Sequence, residues 1–508
     1  MATTLGAGAA AHSVEGAPAK RMSTPFLIRK VLDMSNRFSG RKGSPHNPKE
    51  RTKTTRDLSM VARAILERIC DELWGMTLSW HFLHGHSRLC ALALAWVSAM
   101  VVSAQPSTFP PLPVDDARIQ GVTFHPVGQP IAPPVVSLEQ SQERGVLELR
   151  FDDMTGDYTP WEVQIVHCDR HWQPSDLHPS EYLQGFYSTP TADDEASFGT
   201  KVDFTHHLLR LPNDDVRWTR SGNYLLQIVD PYEPERPLVQ RRFVVFEELC
   251  DVDAKVGEPS DLALVRSHQE VHFTLKERNY SLSDPYDRLT VTVVPNWTWS
   301  RAITGREPRF VKGAEIDFTR SGHVFEGGNT HRFVDLKGLE FSARGVARLE
   351  EHPDAWHFWL ETDERRTYDY FAGGQDIHGA SVTHNDRLDP YTGSDHVWVH
   401  WSLDTRHPLA GRDIYVVGAL SQHQCRSDFK MTYNADRGLY TLDQTLKQGY
   451  HNYHYVVRER GERDSAGQLL DVEGSHAQTN NLYTLVVHYE DWEGYDRVVG
   501  LSQWESHP

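Results

Sequence analysis

Cysteine is scarce in this sequence: there are 5 in 508 residues, and only Cys168, Cys250 and Cys425 follow residue 104. Three thiols allow at most one internal disulfide, so packing rather than bridging has to stabilise the fold. No CxxC pair, GxSxG elbow, HExxH helix or Walker loop occurs. Their absence removes the strongest sequence signatures of a zinc site, a serine hydrolase, a metalloprotease and a phosphate-binding loop. Basic charge is lacking too. Residues 1–104 hold 14 Lys and Arg against 7 Asp and Glu; of totals of 52 and 70, residues 105–508 therefore keep 38 and 63, a net charge of −25. A body so acidic repels phosphate backbones and anionic headgroups, which excludes nucleic acid as a partner and argues against direct membrane insertion.

Apolar and aromatic residues are plentiful. They make up 39% and 10% of the chain, with 14 Trp, enough to drive folding over most of a length that accommodates two to four domains. The uncharged run Leu89–Ala104 follows Arg88, spans 16 residues and ends Val102-Ser103-Ala104 before Gln105. It is short for a membrane span, which needs about 20 apolar residues, and has the small-residue exit of a secretory signal peptide. Residues 86–104 are accordingly expected to be a signal peptide cleaved after Ala104. Cys90 lacks the preceding small residue of a lipoprotein signal. Residues 1–85 are expected to be a disordered leader or a mis-assigned start, with Met76 as an alternative initiation point.

From residue 145 onward, alternation with a period of two replaces any sustained helical spacing, an all-β signature. Trp161, Val163, Ile165 and His167 fall on one strand face, and Leu225–Val229 and Phe243–Phe246 are short apolar strands. These place a β-sandwich at 105–250. A middle β-rich domain is expected at 251–393, with strands at Val271–Leu275, Leu289–Val294, His357–Glu361 and Tyr368–Phe371. In the last block, 394–508, Val397, Val399, Trp401 and Leu403 alternate inward, followed by four more apolar runs. The expected fold class is all-β, with tandem immunoglobulin-like β-sandwiches.

Several longer stretches carry a family likeness. HCDRHWQPSDLHPSEYLQGF, HHLLRLPNDD, SGNYLLQIVD and RRFVVFE follow one another between residues 167 and 247. FEGGNTHRFVDLKGLEF (325–341), IYVVGAL (414–420), MTYNADRGLYTLDQTLKQGYHNYHYVV (431–457), EGSHAQTNNLYTLVVHY (473–489) and YDRVVG (495–500) come after them. In this order the sequence resembles the plug-protein family of the type IX secretion system over roughly 120–500. The resemblance implies a non-enzymatic, periplasmic protein without cofactor. Its implied partner is the large outer-membrane translocon β-barrel, whose periplasmic mouth it closes when no substrate is in transit.

Loops are the best places to look for partner contacts. Two segments stand out: Asp169–Tyr182, with Asp169, Trp172 and Tyr182, and the turn holding Gly327, Gly328, Asn329 and Arg332. For each, the competing reading is structural. Asp169 can hold a turn through side-chain to backbone bonds, Trp172 can pack a strand end, and paired glycines suit a turn with positive φ. His167, Cys168, Asp169 and His171 crowd together but do not make a metal set, because neighbours on a strand point to opposite faces. Adjacent acids such as Asp152-Asp153 cannot face each other across a glycosidic bond. A rival function, glycan binding, comes from the likeness of Val416–Leu420 to glycogen-binding immunoglobulin-like modules. The stretch Gly418–Gln424 has none of the aromatic rings on which sugars stack, which counts against it.

Overall fold

Alternating apolar positions build three pairs of sheets in the computed structural model, which describes residues 109–507 apart from 141, 142, 144, 157, 158, 192, 340–342, 369, 375 and 463–465. The expected leader and signal peptide lie outside the described residues. The first sandwich pairs a four-stranded sheet, in the order Ile119–Pro126, Leu147–Asp153, Thr205–Leu211, Asp193–Ala196, with a five-stranded one. The second sheet runs Val135–Ser137, Pro237–Phe246, Gly222–Val229, Glu162–Cys168, Ser188–Pro190. Its core follows the period of two: Leu147, Leu149 and Phe151 on one sheet meet Trp161, Val163 and Ile165 on the other, all at most 2% exposed.

The second sandwich is closed by strands far apart in sequence. Cys250–Gly257 and His268–Glu277 head one sheet, whereas Leu289–Pro295 pairs antiparallel with Leu482–Glu490, which pairs in turn with Asp496–Glu505. Val291 and Val293 share a core with Phe273, Leu485 and Val487. The third sandwich is inserted between Val324–Glu326 and Leu482–Glu490. It joins Arg332–Asp335, Gly449–Glu459 and Arg412–Val417 in one sheet with Trp356–Leu360, His396–Asp404 and Leu439–Lys447 in the other.

This pairing corrects the domain boundaries expected at 251–393 and 394–508. The strand Trp356–Leu360 belongs to the third core with Val397, Val399, Trp401 and Leu403, and the last two strands belong to the second. Tyr368–Phe371 is not a strand among its described residues; Tyr368 and Tyr370 are exposed and stack at 5.5 Å. A local pattern reports which side of a strand is apolar, but it carries no record of the strand that will lie beside it.

Cys168, Cys250 and Cys425 are free. Burial pushes their thiols up to about 12, 12 and 11, so they pack as protonated small hydrophobes. Among the described residues no helix is long and apolar enough to cross a membrane.

Candidate functional site

The Asp169–Tyr182 segment starts as a side-chain-capped turn. One carboxylate oxygen of Asp169 accepts from the backbone N–H of His171 and of Gln173, both at 2.8 Å, and its carbonyl accepts from Trp172 N–H at 3.0 Å. Trp172 has φ +64° at this turn, which throws its indole away from the solvent and onto the second sandwich. There it is 2% exposed, 4.7 Å edge-on from Trp299, with the Arg242 guanidinium 4.9 Å over its ring. Leu225 and Val244 from the outer face of the first sandwich, and Val294, Val486 and Val498 from the second, complete this cluster. Polar bonds fasten its edge. Arg170 N–H donates to Asp496 at 2.8 Å, Asn223 donates to the carbonyl of Asp169 at 3.0 Å, and His488 Nε2 lies 3.0 Å from Asn223 Oδ1.

Tyr182 closes the short helix Pro179–Tyr182, is 3% exposed, and donates to the Ile165 carbonyl at 3.2 Å while packing on Tyr224. The glycine turn is equally internal. A Cβ on Gly327 would stand 2.1 Å from the His476 carbonyl oxygen, which closes that position to a side chain, and Gly328 has φ +64°, a left-handed conformation that strains any other residue. Asn329 donates to the Glu473 carbonyl at 2.9 Å, and Arg332 bonds Glu473 at 3.0 Å and Asp363 at 2.5 Å. Glu473 is fully buried. Burial opposes its charge, but Arg332 and Arg366 outweigh it and hold the carboxyl well below the usual range.

The structure thus brings the expected contact residues inward: Trp172, Tyr182, Gly327, Gly328, Asn329 and Arg332 join parts of the chain to one another. Trp172 and Tyr182 offer a partner no surface in this conformation. In this conformation Trp172 fills the gap between the first and second sandwiches, where burial removes a large apolar area from water.

The aromatic residues that do face water were not singled out by sequence reasoning. Phe186, Phe198, Tyr232, Tyr370 and Trp492 are 64–87% exposed, all outside strands. No sequence signal separates Trp492 from Trp172, since both sit in polar, turn-forming surroundings. A third feature, also unsigned in the sequence, is a cavity of about 580 Å³ lined by segments of all three sandwiches.

The first sandwich also meets the third, through charge. Asp152, with no exposed surface, lies 2.6 Å from Lys447 Nζ and 2.7 Å from both His206 Nδ1 and His396 Nε2. Burial opposes ionisation of Asp152, yet Lys447 and the two imidazole contacts outweigh it and hold the carboxyl well below its ordinary value. Arg150 stands 3.6 Å over the Tyr391 ring beside it, and Asp395 accepts from the backbone N–H groups of Lys201 and Val202.

Comparison with known proteins finds a matching family model and solved structures that align with the chain. The family model of the Type 9 secretion system plug protein 1st domain matches residues 119–247, bounds that coincide with the first and last long strands of the first sandwich. A crystal structure of a hypothetical protein from Parabacteroides merdae ATCC 43184, at 2.30 Å resolution, is similar with a TM-score of 0.74 and 29% identity, over 79% of this chain and all of that one. The partial N-terminal region of an enterococcal surface protein aligns over 80% of this chain and 99% of that one at 8% identity, but its TM-score of 0.19 carries no argument about fold. No curated protein matches the chain.

Proposed function

We propose, from the match of residues 119–247 to the family model of the Type 9 secretion system plug protein 1st domain, that the chain is a periplasmic, non-enzymatic plug. In this reading it docks on the periplasmic mouth of the outer-membrane translocon β-barrel and occludes it when no substrate is in transit. The observation that carries the reading is the family match itself, whose limits follow the first sandwich. The architecture supports it, because occlusion is steric: a wide aqueous pore leaks solutes unless something fills it, and three sandwiches tied by buried contacts can do so without chemistry.

Docking of this kind has to be reversible, which fits an interface near the standard ~1,600 Å² with a few aromatic anchors and a polar rim. The exposed aromatics Phe198, Tyr232 and Trp492 are the anchors proposed in place of Trp172 and Tyr182. The net charge of −25 over residues 105–508 then calls for basic residues around the barrel mouth and binding that weakens with salt. The test is affinity of the purified full chain for the purified barrel at low and high ionic strength, alongside small-solute leakage through the barrel with and without the chain. A plug lowers leakage and binds about tenfold or more weakly in high salt. An unchanged leak refutes occlusion, and an unchanged affinity refutes the electrostatic part.

A further inference from the structure

The cavity of about 580 Å³ between the three sandwiches is of the size that holds small organic molecules. Much of its wall is apolar, from Phe109, Leu112, Ile131, Trp297, Trp299 and Leu420. Its charges run against the rest of the protein. In a body of net charge −25, six cations line it, Arg241, Arg242, Arg301, Arg426, Lys447 and Arg458, against three carboxylates, Asp115, Asp116 and Asp428.

Most of these cations are satisfied within the protein. Arg241 and Arg426 share Asp115, Arg301 pairs with Glu326, and Lys447 pairs with Asp152. Arg242 differs. It is 8% exposed and has no carboxylate within salt-bridge distance among the described residues. Of its five donors, one NH2 bond, to the Pro110 carbonyl at 2.5 Å, is made, and its Nε has no partner. The Arg242 guanidinium lies 4.9 Å over the Trp172 ring and 5.7 Å over the Trp299 ring, which offsets part of the cost of burial but leaves Nε without a partner. Burial pushes its pKa down to about 9, so it remains a cation at neutral pH. Further buried polar atoms without partners belong to wall residues: Trp299 Nε1, Ser381 Oγ and His451 Nδ1. A buried charge with no counter-charge is expensive in a finished fold, and an oxyanion supplied from outside would remove that expense.

We propose that this cavity binds an amphiphilic organic anion, whose carboxylate, sulfonate or phosphate group accepts from Arg242 while its apolar body lies along Trp297, Trp299 and Ile131. The class covers lipid-derived anions and aromatic ones, which share the same head-and-body chemistry. The inference does not depend on docking at a translocon.

Titration of the folded full chain tests it with four probes: laurate, 8-anilinonaphthalene-1-sulfonate, the uncharged alcohol dodecanol and inorganic phosphate. Tryptophan fluorescence and calorimetry are the readouts. Saturable one-site binding of at least one organic anion, at least tenfold tighter than dodecanol or inorganic phosphate, is expected. Laurate alone assigns a lipid-derived ligand, the sulfonate alone an aromatic one, and mutual displacement of the two a shared site. Arg242→Met should weaken the anions at least tenfold and leave dodecanol unchanged, with Arg242→Lys retaining the preference for anions. Because Arg242 packs on two tryptophans, Ala132→Phe on the wall serves as a second variant, expected to weaken all organic probes while near-ultraviolet circular dichroism stays native. Absence of saturable binding by both anions, or anion affinity unmoved by the Arg242 and Ala132 variants, would overturn the proposal.

Discussion

Against the second sandwich the first presents Trp172, Leu225 and Val244 to Trp299, Val294 and Val486; against the third it presents Asp152, Arg150 and His206 to Lys447, Tyr391 and His396. Both junctions are buried, but their free energies come from different places. The apolar one gains from area removed from water, at roughly 25 cal/mol per Å², and from interlocked ring shapes. The ionic one starts from a large desolvation cost that its contacts offset, so its net contribution is small although its geometry is demanding. One junction therefore supplies cohesion and the other sets orientation, a division that predicts different responses to substitution, to pH and to partner binding.

The largest effect should come from Trp172→Ala. Removing a buried indole from a packed cluster costs about 3–5 kcal/mol, and here it also uncovers the Arg242 guanidinium. A urea midpoint that falls by the corresponding amount checks this. An unchanged midpoint combined with lost translocon binding would instead make Trp172 a docking anchor and reverse the assignment made from its burial.

Next in size is the ionic junction. Lys447→Met leaves Asp152 buried opposite two imidazoles alone, and removal of one member of a buried pair costs about 3 kcal/mol or more. The double variant Asp152→Asn/Lys447→Met removes both charges and should regain most of that loss. No comparable rescue exists for the apolar junction, since Trp172→Ala/Trp299→Ala only enlarges the cavity. A double-mutant cycle with an interaction energy near zero at Asp152 and Lys447 would erase the contrast.

Acid separates the junctions in an order that their composition does not suggest. Asp152 has a depressed pKa. Its contribution is present above the unfolded carboxylate value of about 3.9 and is lost only as pH falls below it, toward the folded value. His488, at the apolar junction, is neutral and buried, and burial pushes its pKa down to about 3. The unfolded chain binds that proton first, so stability is complete above the unfolded value of about 6.5 and falls as pH drops from there toward 3. The slope is at most about 1.4 kcal/mol per pH unit for one such histidine. The apolar junction should thus weaken first in mild acid. Unfolding midpoints between pH 7 and 4.5 should fall for the native chain and fall less for His488→Gln.

Which parts of this were readable beforehand follows from how local each signal is. The inward set Val397, Val399, Trp401 and Leu403 declared itself through alternation, and its members are at most 1% exposed. The Asp169 turn was legible because the side chain bonds backbone two and four residues on. The union of Leu289–Pro295 with Leu482–Glu490 was not, because nothing near residue 290 depends on residue 485 until the sheet forms. The same limit hid the site chemistry. Asp152 and Lys447 are 295 residues apart, and Arg242 looks like any strand arginine until the missing carboxylate can be noticed.

Aromatic residues on the outside give the smallest stability effect and the sharpest test of how buried and exposed rings divide their work. Phe198, Tyr232 and Trp492 are 73%, 87% and 81% exposed, so replacing each by Ser removes little contact within the chain and should shift stability by no more than about 0.5 kcal/mol. The same changes should reduce affinity for the translocon barrel by about 1–2 kcal/mol each if these rings are anchors, because interface energy concentrates in a few aromatic and arginine side chains. Trp492 needs one correction. The Arg288 guanidinium lies 4.2 Å over its ring and 4.8 Å over that of Tyr489, so Trp492→Ser also removes one of the two rings on this cation, and Trp492→Phe, which keeps a ring face for Arg288, isolates the indole. Barrel binding measured by calorimetry on the three Ser variants and on Trp492→Phe therefore separates three outcomes. Loss in the Ser variants with native stability places the contact on these loops. Loss restored by Trp492→Phe assigns it to the ring and its cation together. Native binding in all four moves the docking surface to the acidic faces, where salt rather than side-chain removal is the lever that weakens it.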